Sequence, residues 1–216
     1  MDVSLLAARA HFTAMQGDFD AARESASRGR VVAEEHGLDV LHARFTLGFV
    51  ELLAGEAAVA EEEFRAVCED YEQREEFGFL ASAAPHLAEA ILAQGRNEEA
   101  LAVLDRWPAP RLTLPEDVDG QAQWRRVRAR VLVRMGEVEA AERIAREAVA
   151  IASGTADILD LQAESLADLG EVLQLAGRSQ EARAALEEAM QLYETKGDVV
   201  GAERLRGLLA ERPIEA

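Results

Sequence analysis

Residues 129–142 read ARVLVRMGEVEAAE, and this stretch decides the fold. Gly136 stands between Ala129, seven residues before it, and Ala141, five residues after it. Both flanks are built of helix-forming residues, so the glycine reads as the left-handed cap of one helix and the turn into the next. The pattern returns along the chain: MQGDFDAAR from Met15, LAGEAAVAE from Leu53, AQGRNEEAL from Ala93 and LAGRSQEAR from Leu175. The five glycines, Gly17, Gly55, Gly95, Gly136 and Gly177, are spaced by 38, 40, 41 and 41 residues. Aligning on them brings Ala22, Ala60, Ala100, Ala141 and Ala182 into one column and Ala10, Gly48, Ala88, Ala129 and Gly170 into another. Small residues at those two places let two helices approach closely on either side of a tight turn, so the alanine column is assigned a structural role.

Outward from the turns, apolar residues recur at helical spacing, as in Leu166, Leu169 and Leu173 or Leu186, Ala189 and Tyr193. No segment alternates like a half-buried strand. Second helices are expected to stop at Gly37, Gly78, Pro108, Gly154 and Gly197, and acids open several of them (Asp18, Glu137, and Glu98 with Glu99), as helix dipoles prefer. The reading is an all-α, right-handed solenoid of about five helical hairpins (3–37, 38–78, 79–118, 119–154 and 155–197) with a closing helix at 198–211, forming a single domain. Pro108, Pro110 and Pro115 forbid a continuous helix over 108–119, which is expected to be an ordered loop.

The composition narrows the function. Among 216 residues the formal net charge is −18, which argues against nucleic acid or an anionic membrane as partner. Cys68 is the only cysteine, so no intrachain disulfide forms. The beginning, MDVSLLAARAHF, lacks the marks of a secretory signal, and no apolar run is long enough to span a bilayer. A cytoplasmic location is expected.

A hairpin with a small residue, six others, glycine, four others and alanine resembles the tetratricopeptide (TPR) pattern. Here the period exceeds the usual ~34 residues and the consensus aromatics are mostly leucine or alanine. The second half, AQWRRVRARVLVRMGEVEAAERIAREAVAIA and LADLGEVLQLAGRSQEARAALEEAMQLYETKGDVVGAERLR, resembles the C-terminal repeats of bacterial proteins that carry a nucleotide-cyclase domain and a P-loop ATPase domain upstream. That resemblance implies a regulatory arm without catalytic parts. No phosphate-binding G-x4-G-K-[ST] loop is present, and Lys196, the only lysine, lies just before a helix-ending glycine. It implies protein or peptide partners, the upstream domains of the same polypeptide among them, and no cofactor. The sensor arm of an ATP-dependent transcription regulator binding a small effector and a free-standing TPR adaptor are the alternatives.

Residues 120–136 hold five arginines and no acid. Arg126, Arg130 and Arg134 fall on one helical face, apart from the apolar stripe of Trp124, Val127, Val131 and Met135. By analogy with TPR stacks they face the concave groove, either to bind carboxylates or phosphates or to neutralise neighbouring acids such as Glu164 and Glu171. Arg128 falls within the stripe and is expected to need a buried acidic partner. His42, Phe45 and Phe49 share a face that also looks into the groove, beside His86 and Glu89, to grip a peptide or to pack on a neighbouring helix. The histidines show no metal-ligand spacing, so no metal is expected, and Cys68 is expected to be inert. Val3, Leu5, Leu6 and Phe12 leave the first helix poorly capped, and a homodimer through an end repeat is an expectation that follows.

Overall fold

The computed structural model describes residues 2–113, 117–154 and 158–211. Its helices pair into five antiparallel hairpins: α1 (Val3–Met15) with α2 (Phe19–Glu35), α3 (Leu41–Leu53) with α4 (Ala57–Gln73), α5 (Phe77–Ala93) with α6 (Asn97–Arg106), α8 (Val118–Arg134) with α9 (Val138–Ala152), and α10 (Leu159–Leu175) with α11 (Ser179–Lys196). A single turn, α7 (Ala109–Leu112), precedes α8, and α12 (Val199–Glu211) closes the stack. First helices pack on first helices, α1 on α3, α3 on α5, α5 on α8 and α8 on α10, and so line one face.

Sequence explains the hairpins locally. All five repeat glycines carry positive φ, between 78° and 89°. At each, the following N–H reaches back five residues to a carbonyl of the first helix, as Glu137 N does to Leu132 O at 2.9 Å and Arg178 N to Leu173 O at 2.9 Å. This satisfies a carbonyl that the helix end would leave orphaned. The alanine column is buried at every repeat. Within the other column, a methyl on Gly48 would come within 2.9 Å of the Phe64 ring, and one on Gly170 within 2.7 Å of Leu186. Those glycines are there because a larger side chain of the paired helix occupies the space. The largest core joins repeats two to four, from Leu41 through Phe64, Leu87 and Leu104 to Val131.

Three expectations are corrected. Helix α4 ends at Gln73, and the left-handed position of its turn belongs to Glu75 at φ 57°, whereas Gly78 lies inside α5. The glycine signal therefore misplaced this boundary by a few residues. The loop from Pro108 holds the one-turn α7, and α8 begins at Val118, capped by Asp117, whose carboxylate accepts from Gly120 N. Pro115 lies outside the described residues. Met135 leaves the apolar stripe of α8 and is exposed, because the helix ends at Arg134.

The stack curves far enough for its ends to meet. Gln16, after α1, donates from Nε2 to the carbonyl of Gly197, before α12. Val200 packs near Gly17, and α1 touches α12. The concave face is thereby closed into a central cavity.

Candidate functional site

One column of the repeat builds the inner wall. The residues six before each turn glycine are His11, Phe49, Glu89, Arg130 and Glu171, one place beyond the small-residue column. In space they form a ladder across the first helices. The His11 ring stacks on Phe49 with centroids 3.9 Å apart. Arg130 Nη1 hydrogen-bonds Glu89, and its Nε lies 3.4 Å from Glu171. Two rungs of the ladder are therefore aromatic and three ionic.

Arg126 forms the centre. It is 4% exposed, and its Nη1 donates to Asp168 Oδ2 at 2.8 Å while Nη2 lies 3.0 Å from both Glu89 and Glu164. Arg130 also reaches Asp168, at 3.4 Å. Arg134 is half-exposed at the end of the row, pairing with Glu171 at 3.0 Å and bonding the Leu92 carbonyl. The three arginines thus face inward and are tied to acids of the repeats on either side. Burial alone would weaken charge here. It raises Asp168 and brings Glu164 up to about 7, whereas Arg126 and Arg130 outweigh burial at Glu89 and hold it well below the usual carboxylate range.

Arg128 is corrected. Its side chain is 20% exposed, lies over the Trp124 ring and pairs with Asp105, an exposed residue of α6. The half-buried cation needs no buried acid because the indole face and solvent share its charge. The arginine that is buried is Arg126.

The aromatic wall lies beside the ionic centre. Phe45 packs edge-on to both Phe64 and His86, and His86 stacks on Phe64. Burial pushes the His86 imidazole down to about 4, so it is neutral at pH 7. His42 is exposed and borders a hollow between α1 and α3 with His11, Phe12, Phe45, Phe49 and Lys196. The central cavity, of about 330 Å³, takes its lining from repeat two (Phe49, Leu53), from the middle (His86, Glu89, Arg126) and from the C-terminal end (Tyr193, Asp198, Arg204). Sequence reasoning missed His11, Asp168, Tyr193 and Arg204. The column six before the glycine carried a signal for His11; Tyr193 and Arg204 enter only through closure of the ends.

Cys68 is fully buried, with its thiol pushed up to about 12 by burial, so little thiolate forms at neutral pH. Among the described residues no group of three or more His, Cys, Asp or Glu side chains is placed to hold a metal ion, and no helix is long and apolar enough to cross a membrane.

This architecture is an all-α solenoid of TPR-like hairpins. Residues 120–195 match one tetratricopeptide-repeat family model and residues 82–106 another. Solved structures share the fold. The Rap conjugation gene regulator of plasmid pLS20, in complex with the Phr* peptide, superposes with a TM-score of 0.72 at 13% identity, over 96% of this chain and 58% of that one. NprR in complex with its cognate peptide NprX gives 0.71 at 12% identity, over 93% and 58%. A thermophilic TPR protein of Thermus thermophilus, TTC0263, gives 0.61 at 23% identity, over 91% of each chain. The chain thus spans little more than half the length of the Rap and NprR chains. No curated protein sequence matches it.

Proposed function

We propose that the chain is a non-catalytic interaction module that holds a peptide segment along its inner face. The observation that carries this reading is the wall itself: aromatic rings (His11, Phe45, Phe49, His86) adjoin a charged row (Glu89, Arg126, Arg130, Arg134) on one closed concave surface. Rings give contact area at low entropic cost, and the row supplies direction. The peptide complexes of Rap and NprR support it, since both share the fold. The segment is provided by a protein partner. The resemblance of the second half favours upstream domains of the same polypeptide, making the chain the arm of a bacterial signalling ATPase or nucleotide cyclase in the cytoplasm.

The arginine row orients the ligand from its fixed ion pairs, and Phe49 and His42 make the contacts. The test is a randomised peptide pool photo-cross-linked to the whole chain. Cross-links are expected at Phe45, Phe49 and His42, and to be lost in Phe49→Ala with far-UV circular dichroism unchanged. Cross-links spread over the outer faces of α2, α4 and α9 would remove the reading.

A small-effector sensor is the second reading. It is favoured by the enclosure of a cavity within the size range of small-molecule sites. Thermal stabilisation by small metabolites and by no peptide would select it. Leu5 and Phe12, both exposed on α1, favour self-association through the first repeat. A molar mass that stays monomeric across a concentration series would end that proposal.

A further inference from the structure

The buried ion cluster is one cation short. Four carboxylates meet three guanidinium groups: Glu89 and Asp168 each contact both Arg126 and Arg130, and Glu171 contacts Arg130 and Arg134. Among the described residues Glu164 has only Arg126 Nη2, which it shares with Glu89, and a hydrogen bond from Gln123. Glu164 also borders the cavity. A second, independent feature points into the same space. His86 is 8% exposed, lines the cavity and makes no hydrogen bond among the described residues; its contacts are the Phe45 and Phe64 rings. Its neutral ring therefore offers a lone pair with no protein donor. Phe49 and Tyr193 add aromatic faces.

We propose that the central cavity binds a cationic group, the guanidinium or ammonium of a bound peptide, with Glu164 as its ion-pair partner and His86 as a hydrogen-bond acceptor. The peptide as its source rests on the function proposed above; the site itself does not. The charges facing it agree. Arg204 of α12 lies close enough to Asp198 at the same wall to favour its charge, and Lys196 pairs with Asp160 at 3.6 Å. An anion would instead meet Glu89, Glu164 and Asp198, while the arginines of the lining are already committed, Arg126 and Arg130 to Glu89, Glu164 and Asp168 and Arg204 to the charge of Asp198.

Protons report the event. Glu164 is half-ionised near neutral pH, because burial opposes its charge. A cation beside it favours the carboxylate, so binding releases protons and tightens as pH rises.

The probes are Nα-acetyl-arginine amide, its neutral isostere Nα-acetyl-citrulline amide, and Nα-acetyl-glutamate amide. Each is titrated into the whole chain by NMR and by calorimetry in two buffers. The arginine compound is expected to move cavity resonances and to bind about tenfold tighter at pH 8 than at pH 6, as ionisation of a single carboxyl allows. Proton release is expected near pH 7. Glu164→Gln, which keeps shape and removes the charge, is expected to lose about tenfold or more in affinity along with the proton release. Equal binding of the citrulline compound, preference for the glutamate compound, unchanged binding by Glu164→Gln, or no cavity response to any probe at about 10 mM would each overturn the site. Cation binding without cross-linking of any peptide would leave the site standing and sink the peptide reading.

Discussion

Glu75 holds a left-handed backbone in the turn after α4, where the turns after α2 and α11 use Gly37 and Gly197. Such a conformation costs a residue with a Cβ about 1–2 kcal/mol, so Glu75→Gly is expected to raise the melting temperature by about 2–4 °C for each kcal/mol recovered. Gly48 poses the opposite case. Gly48→Ala forces a methyl onto the Phe64 ring and is expected to destabilise by about 1–3 kcal/mol, read by urea unfolding. At Arg126 the penalty is electrostatic. Arg126→Met strands Glu164, leaves Glu89 and Asp168 to Arg130 alone, and is expected to cost about 3–5 kcal/mol at pH 8. Its sign with pH follows. Burial raises Glu164 and Asp168 above their unfolded values, so folded stability is retained at low pH and lost as pH rises through them. The gap between Arg126→Met and the parent chain should therefore narrow toward pH 5. Glycine turns were legible in the sequence because only glycine takes the position at no steric cost. Glu75 was not, since nothing in its side chain announces a tolerated strain.

Between elements, a four-residue ion network is used twice at the same register. Arg65 and Arg96 join Glu61 and Glu99 across repeats two and three, and Arg146 and Arg178 join Glu142 and Glu181 across repeats four and five. The positions match: one and four after the turn glycine of the later repeat, six and ten after that of the earlier one. Burial opposes the charge on Glu61, but hydrogen bonds from Arg96, Arg65 and Gln94 bring it down to about 2. Its contribution is present above the unfolded value of 4.5 and lost as pH falls toward 2. A double-mutant cycle on Glu61 and Arg65 is expected to give a coupling of about 0.5 kcal/mol that shrinks at ~1 M salt. Glu61 with Arg96 and Arg126 with Asp168 lie 35 and 42 residues apart, about one repeat. The columns were visible from the repeat period, but which arginine is buried was not. Helical phase placed Arg128 in the apolar stripe, whereas the crossing of α5, α8 and α10 buries Arg126.

For the whole molecule, the governing feature is the meeting of the first and last repeats, which no local pattern encodes because it sums the rotation of every hairpin. Val200→Glu, which sets a charge against the Gly17 turn, is expected to enlarge the radius of gyration in small-angle scattering while helicity holds. An unchanged radius would mean the ends stay together without that contact. The single bond from Gln16 to Gly197 spans 181 positions of the chain. In a stack whose ends hang free, an angular error at one turn is carried outward and dissipates. Here each error accumulates toward a seam that must still meet, so the seam works as a vernier: a shift of a few degrees in any hairpin is magnified there into a measurable displacement.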